Sequence, residues 1–454
     1  MQVPLKEKLG MGIGEFGNNL FWQFFMYFLL YFYTDIYVIA PGAQAAATAG
    51  KMFLVVRTWD AVFDVIVGLV ADRTHTPWGK FRPYLLYGAV PFGLAGVLAF
   101  YTPDFSATGK ILYAYITYTF LMMMYSVVSI PQNSILGVMT PDSLERTVLS
   151  KYKFVFAFAA GLVAQFCTPL LVVALGHGNE RVGYQMTMIL YAVVAVTFFI
   201  VAFAAIRERV VPAPSAKSSL REDARDLLTN VPWLVLSAAT LFWVLSIAVR
   251  SGTLIYYFKY VLQTPNHEKY FSAFLVIGTM GTIIGTLLIP YFSRLLGKRN
   301  LFIVSMLIAN LLTWAYCYIP PSQLALLFVL QALIGLTQGS TCSLLWAMYA
   351  DCADFSDWRN NRRATALVFS AAIMAQKFGW SIGGYVNGQL MEYYGYVGNA
   401  ALSTRTEQGI LSLISVYPAV LGLTSAAILL GYTLREATIK QISADLALRR
   451  SAAS

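Results

Sequence analysis

Long apolar stretches, separated by short polar segments, run the length of the chain. They lie near 12–34, 45–71, 84–102, 110–139, 152–175, 185–206, 231–260, 270–293, 300–319, 323–350, 364–392 and 409–433. About twenty consecutive apolar residues cross a bilayer as an α-helix. The pattern therefore predicts an all-α integral membrane protein with twelve transmembrane helices.

The composition is that of a chain that meets an apolar solvent. Hydrophobic residues make up 58% of its 454 residues and charged residues only 12%, about half the charged share of soluble domains. So much Phe, Tyr, Leu and Val has no place on a water-exposed surface, which excludes a soluble protein of several domains. No small-residue cleavage site follows a short apolar core, so we expect the first stretch to be a permanent span rather than a signal peptide.

The positive charge of the chain is concentrated in alternate loops. The formal net charge is +10, and Lys and Arg are most frequent near 72–83, 140–151, 207–230, 294–299 and 351–363. All these loops are cytoplasmic if the N-terminus is, and this bias orients membrane proteins. We expect a multi-pass protein of the cytoplasmic (inner) membrane with both termini in the cytoplasm, and no nucleic-acid partner.

The longest polar segment divides the apolar stretches into two sets of six. We predict an N-terminal six-helix bundle at 1–206, a cytoplasmic linker at 207–230, a C-terminal bundle at 231–433 and a cytoplasmic tail at 434–454. The segment "LLYFYTDIYVI" ends the first stretch, and a similar segment, "LIYYFKYVLQ", ends the seventh. Such repeats are typical of transporters in which two pseudo-symmetric bundles rock about a site near the bilayer midplane.

Two carboxylates interrupt the second apolar stretch, in "RTWDAVFDVIVGLVADR". Asp60 and Asp64 are four residues apart, so on a helix they share one face with Cβ atoms about 5–6 Å apart. A charge near the bilayer centre costs about 3 kcal/mol, and two close like charges oppose each other's ionisation. The pair is tolerable when a cation or proton occupies it, which favours a coupling-cation site. A structural ion pair with Arg57 or Lys377 is the alternative.

Several segments together resemble one transporter family. The segment "WDAVFDVIVGLVADRTHTPWGKFRP" is similar to the second span and following loop of the glycoside–pentoside–hexuronide:cation symporters. This branch of the major facilitator superfamily contains melibiose permease and the bacterial glucuronide carrier. Further similar segments follow in family order: "GIGEFGNN", "YFYTDIY", "SIPQNSILGVMTPDSLERT", "YYFKYVL" and "WAMYADCADFSDWRNNRR". The resemblance implies the major facilitator fold and cation-coupled import of a sugar or glycoside by alternating access, without identifying the sugar.

The resemblance also bears on the coupling ion. In melibiose permease an Asn and a Thr join the two aspartates in the sodium site, and the matching positions here are Phe63 and Ser126. Phe63 supplies no oxygen, so the comparison favours a proton over sodium, which needs several oxygen ligands. Glu15 is an acid that melibiose permease lacks; it either joins a proton relay or pairs with a nearby base. We expect no cofactor, and the only metal ion considered is Na⁺ at Asp60 and Asp64.

The positions that match the family's sugar site carry no acid. Where melibiose permease has two sugar-binding acids, this chain has Asn19 and Ser129, and Asn133 replaces a Trp on which the sugar stacks. The glucuronide carrier is similar in having the paired asparagines, which favours an acidic sugar such as a hexuronide or a uronate oligosaccharide. Alternatively, the embedded bases only balance the embedded acids, and the substrate is a neutral glycoside, carried with sodium. The candidate substrate-binding residues are Asn18, Asn19, Ser129, Asn133, Lys153, Arg250, Lys377, Trp346 and Gln376.

Charged residues near the predicted cytoplasmic ends of the spans are candidates for a gate. Salt bridges among them would hold the bundles together while the cavity faces outward; alternatively, they are solvated charges that only set the topology. The candidate gate residues are Asp72, Arg73, Glu145, Arg146, Asp351, Asp354 and Arg363.

Other classes of membrane protein fit the sequence less well. A channel needs a continuous polar lining, whereas the embedded charges here are few and clustered. A metalloenzyme needs converging ligands, but His75, His177 and His267 lie in separate loops. A lysolipid carrier of the same superfamily is the closest alternative and would need a wholly apolar lateral groove. We predict a monomeric transporter of a small sugar, and not an enzyme.

Overall fold

The structure is a computed structural model, and it describes residues 3–140, 142–209, 225–264, 266–360 and 365–453. Within these residues the chain is helical, and the β-type contact found is an isolated bridge between Thr76 and Gly79. The helices are α1 (Leu5–Tyr31), α2 (Gln44–Arg73), α3 (Arg82–Ala99), α4 (Ala107–Met139), α5 (Ser143–Gly176), α6 (Glu180–Ala205), α7 (Val231–Tyr256), α8 (His267–Leu296), α9 (Lys298–Ala315), α10 (Leu324–Asn360), α11 (Thr365–Tyr393), α12 (Thr404–Ile414), α13 (Val416–Leu429) and α14 (Glu436–Ala453).

Each predicted apolar stretch coincides with a helix, α12 and α13 together forming the twelfth. Among the described residues, eight helical stretches are long and apolar enough to cross a membrane by length and hydropathy. The all-α membrane architecture predicted from the apolar pattern is therefore confirmed. Helix starts also follow local chemistry, since the Ser106 side chain caps α4 and the Asn179 side chain caps α6.

Two segments predicted as loops are helical. Helix α5 begins at Ser143, so Glu145 and Arg146 lie in its first turn, and α10 continues to Asn360, so Asp351 and Asp354 lie on a helix. The apolar pattern marks only the part of a helix that lies in lipid. Leu, Glu, Ala and Arg are good helix formers, so a helix continues into water beyond the apolar stretch.

The predicted twelfth span is broken rather than continuous. Ser415 departs from helical geometry, with φ −123° and ψ −73°, between α12 and α13. Pro418 follows three residues later in the first turn of α13. Proline has no N–H, and its ring clashes with the carbonyl four residues before it, so an uninterrupted helix is disfavoured at this point.

The chain forms two compact units, described separately below. The first unit comprises 1–215, 254–276 and 384–407, and the second comprises 216–253, 277–383 and 408–454. The first unit thus contains α1–α6 together with the last residues of α7, the start of α8 and the end of α11.

Aromatic side chains form the core of the first unit. Helix α1 packs against α5 and α6, α3 packs against α4 and α6, and α2 packs against α4. Phe24 is fully buried, and its ring meets those of Phe100, Tyr184 and Tyr191 edge to face. Such contacts bury large apolar surfaces in favourable ring geometries. They hold α1, which carries most of the polar residues of interest, in a defined rotation.

The second unit has its own buried core. Helix α9 packs against α10 and α13, and α14 packs against α10. Trp233, Trp243 and Tyr349 are among the largest side chains of this core. Helix α7 lies close to α11 because Gly383 has no side chain: a Cβ atom there would be 2.4 Å from the Ala248 Cβ. Small residues allow such close helix approaches in membrane proteins.

The first and seventh spans end in the same way. Helices α1 and α7 each continue into one π-helical turn, Phe32–Ile36 and Tyr257–Val261. Each turn is followed by a residue with positive φ, Val38 at 49° and Gln263 at 47°. The two segments that are similar in sequence therefore also share a local conformation, and π-turns are frequent at functional sites.

Candidate functional site

A buried serine bridges the two aspartates of α2. Asp60 is 0% exposed and Asp64 is half-buried on the same face of the helix. The Ser126 hydroxyl of α4, also 0% exposed, lies 2.7 Å from Asp60 Oδ1 and 2.6 Å from Asp64 Oδ1. Three of the four predicted coupling residues are thus brought together, because α2 packs directly on α4.

The proton count of this bridge limits its charge states. A serine hydroxyl has one proton to donate and two lone pairs to accept with. Ser126 Oγ therefore donates to one carboxylate, and the second short contact is favourable when the other carboxyl is protonated and donates to Oγ. If both acids were ionised, the hydroxyl proton could serve only one of the two contacts. In the other contact, Ser126 Oγ and a carboxylate oxygen would lie close together with no proton between them. The geometry therefore suits an Asp60–Asp64 pair that has bound one proton or another single positive charge.

The described neighbours of Asp60 and Asp64 include the base Arg57 but few oxygen atoms that could bind a metal ion. Arg57 donates from Nε to the Tyr118 hydroxyl at 3.0 Å, and its guanidinium lies over the Trp22 ring at 4.9 Å. Arg57 also interacts electrostatically with Asp60, so a structural contribution of this base stays compatible with a coupling role. Phe63 stacks on the Trp59 ring and provides no oxygen.

Glu15 lies in a second polar cluster, with the paired asparagines of α1. Its Oε1 accepts from Asn19 Nδ2 at 3.0 Å, and its Oε2 accepts from Gln132 Nε2 at 3.2 Å. Gln132 Oε1 in turn accepts from Asn18 Nδ2 at 3.2 Å, whereas Asn18 Oδ1 is buried without a hydrogen-bond partner. Lys153 Nζ on α5 lies 3.6 Å from Glu15 Oε2. The cluster contains one acid and one base.

Residues of α4 complete this cluster. Lys153 Nζ donates to Asn133 Oδ1, and Asn133 Nδ2 donates to the Ser129 carbonyl at 2.8 Å. The structure thus brings Asn18, Asn19, Asn133 and Lys153 together, while Ser129 contributes its backbone carbonyl, and their role in substrate binding stays a prediction. Gln132 was missed, although a glutamine between Pro131 and Asn133 inside an apolar span was a signal for it.

Tyr125 is close enough to both clusters to interact with them. This α4 tyrosine interacts electrostatically with Glu15 and also with Asp60 and Asp64. Its ring lies 5.8 Å from that of Trp22, which also contacts Arg57. The coupling pair and the Glu15 cluster are thus neighbouring parts of one polar region in the first unit.

The other predicted substrate residues belong to the second unit. Arg250 on α7 is buried, donates from Nη2 to Gln331 Oε1 at 2.8 Å, and lies over the Tyr316 ring at 5.3 Å. Lys377 and Gln376 are half-buried on α11, and Gln376 Nε2 is buried without a hydrogen-bond partner.

Trp346 packs into the second unit's core. It lies on α10 at the edge of that core, and its ring stacks on Phe369 with centroids 6.1 Å apart. The role of Trp346 in substrate binding stays a prediction.

Three of the predicted gate residues form salt bridges within their own units. Asp72 pairs with Lys80 at 2.8 Å, Glu145 with Lys8 at 3.1 Å, and Asp351 with Lys298 at 2.8 Å. Arg73 and Arg146 are exposed, Asp354 is half-buried, and Arg363 lies outside the described residues. Bridges between the bundles stay a prediction.

A glutamate that the sequence analysis missed closes the hairpin after α2. Glu208, just beyond α6, accepts from the backbone N–H groups of Lys80, Phe81 and Arg82 at 2.8, 2.8 and 2.7 Å. These donors precede and begin α3, where unpaired N–H groups and the helix dipole favour an anion. Gly79 has φ 111°, and a Cβ there would be 2.6 Å from the Glu208 carboxyl carbon. The start of the linker is thereby fixed to the first unit.

The next residue, Arg209, is also held against the first unit by hydrogen bonds. It donates from Nη1 to Glu7 Oε2 at 2.7 Å, and its backbone N–H donates to the Val138 carbonyl at 2.8 Å. Hydrogen bonding to the Glu7 carboxylate raises the pKa of the Arg209 guanidinium, which therefore stays charged.

A second missed cluster surrounds Asp35 in the π-turn after α1. Asp35 is 3% exposed, and its Oδ1 accepts from the hydroxyls of Tyr260 and of Tyr396, the latter at 2.7 Å. Its Oδ2 accepts from Thr34 Oγ1 at 2.5 Å, and its carbonyl accepts from Asn399 Nδ2 at 2.6 Å. The cluster joins the ends of the first, seventh and eleventh spans at one end of the first unit.

An ion pair lies beside the Asp35 cluster. Lys259 Nζ is 3.2 Å from Glu180 Oε1, and the Tyr31 hydroxyl donates to Glu180 Oε2 at 2.9 Å. Lys259 also donates to Tyr31. These contacts add charge to the same junction, and Lys259 is the base next to Asp35.

Comparisons with known proteins agree with this architecture. Residues 10–436 match the family model described as MFS/sugar transport protein. The chain is 35% identical over 447 residues to the inner membrane symporter YicJ of Escherichia coli (strain K12), covering 98% of this chain and 95% of that protein. It is 36% identical over 455 residues to the putative glycoside/cation symporter YagG of the same organism, covering 99% and 96%. The crystal structure of the nucleoside transporter NupG is similar in fold, with TM-score 0.63, 16% identity, and coverage of 93% of this chain and 98% of that one.

The fold and the family match together define a multi-pass membrane transporter of the major facilitator superfamily, and not an enzyme. Within that class, the chain belongs to the MFS/sugar transport family, the glycoside–pentoside–hexuronide:cation symporters.

Proposed function

We propose that the protein is a proton-coupled symporter that carries an acidic sugar, such as a hexuronide or a uronate oligosaccharide, by alternating access. The observation that carries the proposal is the Ser126 hydroxyl, which lies within hydrogen-bond distance of both Asp60 and Asp64. The name of the relative YagG, a putative glycoside/cation symporter, supports sugar–cation coupling in general terms. The pair is the loading site for the coupling ion.

The donor set supports a proton rather than sodium. A sodium ion needs several oxygen ligands around it, whereas a proton needs one carboxylate held beside an acceptor. The Ser126 bridge supplies that arrangement. Phe63, by contrast, stacks its ring on Trp59 and provides no oxygen ligand for a metal ion. An ion bound here would lower the cost of burying two like charges.

The residues around Glu15 support an acidic sugar. Asn18, Asn19 and Asn133 provide amides suited to sugar hydroxyls, and Lys153 supplies a positive charge. These polar residues of the first unit also argue against the lysolipid carrier, whose acyl chain would need apolar walls.

The orientation of the protein follows from its charge distribution. The excess of Lys and Arg in alternate loops supports cytoplasmic termini and a place in the cytoplasmic membrane. In this orientation Glu208, Arg209 and Glu145 lie on the cytoplasmic side, and the Asp35 cluster lies on the opposite side. Import down a proton gradient is the direction we propose.

Uptake into proteoliposomes tests the proposal. The purified protein is reconstituted, and accumulation of a radiolabelled glucuronide is compared with that of the glucoside of the same aglycone. Each sugar is offered under a proton gradient, a sodium gradient or neither. We expect proton-driven accumulation of the glucuronide, and Asp60→Asn should abolish accumulation while leaving counterflow of preloaded sugar.

Two outcomes would contradict the proposal. Accumulation driven by sodium alone would refute the coupling ion, and preference for the glucoside would refute the acidic substrate. Ser134→Ala serves as the matched control, because this α4 hydroxyl bonds only the Ile130 carbonyl of its own helix among the described contacts.

A further inference from the structure

The Glu15 carboxylate lies among donors suited to an anionic ligand. Three N–H groups converge on it: Asn19 Nδ2 at 3.0 Å, Gln132 Nε2 at 3.2 Å and Lys153 Nζ at 3.6 Å. They come from α1, α4 and α5. Two amides and one ammonium form a donor set that would bind any carboxylate of similar size. In this structure the bound carboxylate is that of Glu15.

Lys153 is held loosely by Glu15. Its distance to Glu15 Oε2, 3.6 Å, is longer than a charge-assisted hydrogen bond, for which about 2.7–2.9 Å is usual. Lys153 Nζ also donates a hydrogen bond to the neutral Asn133 amide. The Lys153 and Glu15 side chains are 17% and 13% exposed, so neither charge is well solvated. Glu15 therefore neutralises the charge of the Lys153 ammonium but does not use all of its hydrogen-bond donors.

Gln132 and Asn18 set the shape of the remaining space. Asn18 Nδ2 donates to Gln132 Oε1 at 3.2 Å, which fixes the Gln132 amide with Nε2 toward Glu15. Asn18 Oδ1 is buried without a hydrogen-bond partner. A buried acceptor without a hydrogen bond is unfavourable, and a hydroxyl donor would relieve that cost. A sugar supplies hydroxyl donors next to its carboxylate.

We propose that Glu15 is an internal competitor for the carboxylate of the acidic substrate, and that a proton bound by Glu15 releases Lys153 to the substrate. In the empty site, ionised Glu15 balances Lys153. In the loaded site, Glu15 carries a proton from solution, the substrate carboxylate balances Lys153, and the cluster again has no net charge. The inference rests on the proposed transport of an acidic sugar and adds a second proton site to it.

The groups around Glu15 are compatible with this exchange. From α5 it faces Lys153, and from α4 the Tyr125 hydroxyl interacts with it electrostatically. Helix α6 meets this stretch of α1 through apolar side chains, Ala202 next to Gly14 and Phe198 next to Phe16. Among these described neighbours Lys153 is the cationic one. Because the substrate needs Glu15 in its neutral form, binding should tighten as the pH falls.

Binding measurements on three variants test the exchange. The affinities for a glucuronide and for the glucoside of the same aglycone are measured by calorimetry in detergent, in mildly acidic and mildly alkaline buffer. In E15Q the neutral amide leaves Lys153 free, so glucuronide affinity in alkaline buffer should rise about tenfold, within the usual range of coupling between two sites. Its dependence on pH should weaken. K153Q should lose the preference for the glucuronide, and S134A should match the unaltered protein.

Each failure points to a different error. If the unaltered protein binds only the glucoside, the proposed substrate class is wrong. If it binds the glucuronide but E15Q leaves affinity and pH dependence unchanged, Glu15 is not the competitor, and coupling through Asp60 and Asp64 stands. A thermal unfolding curve recorded for each variant shows which ones fold. Should E15Q not fold, E15D, with a shorter carboxylate farther from Lys153, is expected to raise glucuronide affinity at alkaline pH, and an unchanged affinity would overturn the exchange.

Discussion

Removing the Ser126 hydroxyl perturbs the coupling site with the smallest change in shape. Asp60 Oδ1 and Asp64 Oδ1 are 2.7 and 2.6 Å from the same Oγ atom, so they are at most about 5.3 Å apart. Two unit charges at that distance repel by at least about 3 kcal/mol at an effective dielectric constant of about 20. That repulsion equals about a hundredfold in an equilibrium constant. A proton bound by either acid would remove this repulsion, and the hydroxyl could then make a hydrogen bond with each acid.

Ser126→Ala should weaken proton loading by about tenfold. In the singly protonated pair the hydroxyl both donates and accepts, so alanine removes one more hydrogen bond from this state than from the doubly ionised one. A hydrogen bond is worth about 0.5–1.5 kcal/mol net, and about 1.5–3 kcal/mol when one group is charged. The proton concentration that gives half-maximal glucuronide uptake should rise accordingly, while sugar affinity at saturating proton concentration stays unchanged.

The assay is initial uptake in proteoliposomes as a function of external pH. Ser126→Thr keeps the hydroxyl and is the matched control, which should lie close to the unaltered protein. If Ser126→Ala has the same proton dependence as the unaltered protein, the bridge is not part of the coupling site. A loss of sugar affinity at every pH would instead indicate that the cavity has changed shape.

Three further predictions concern features outside the coupling pair. Asp35→Asn replaces a carboxylate that accepts from two tyrosines with an amide that itself donates, so hydrogen exchange in the 394–403 loop should accelerate; unchanged exchange would show that Asp35 does not hold this loop in place. Glu208→Ala leaves three backbone N–H groups without their anion, and thermal unfolding should show a loss of about 1–3 kcal/mol, which Arg207→Ala should not reproduce. Gly285→Ala would place a Cβ 1.9 Å from the Leu336 carbonyl oxygen and should cost about 1–3 kcal/mol by overpacking, whereas Gly68→Ala, where nothing lies within 4 Å, should be tolerated.

The Asp60–Asp64 pair and the Glu15 cluster have different chemistry. At Asp60 and Asp64 two acids share one hydroxyl, so a bound proton relieves repulsion between like charges. At Glu15 an acid faces a base, so a bound proton exposes Lys153. Tyr125 interacts electrostatically with both clusters, so the two protonation events that we propose would influence each other. A substrate anion at Lys153 would therefore change the electrostatic potential at Asp60 and Asp64, and with it their affinity for a proton.

The local pattern of the sequence was enough to predict the helices and the acid pair. Apolar stretches of span length have few alternatives in a bilayer, because every backbone N–H and C=O must be paired within the segment. The helical repeat likewise places Asp60 and Asp64 on one face whatever surrounds them. The pattern failed where the chain leaves the lipid, at Ser143 and Asn360, because helices continue in water without an apolar signal.

Only the tertiary structure decided which distant polar residues meet. Gln132 joins Glu15, Glu208 closes the hairpin before α3, and Asp35 collects hydroxyls from segments more than two hundred residues away. Each contact depends on how neighbouring helices are rotated and how far they extend, and these are set by the packing of side chains along whole interfaces. A single sequence records which residues are polar and how they are spaced along one helix. It does not record the rotation of one helix against another, and in this protein that rotation decides which base faces which acid.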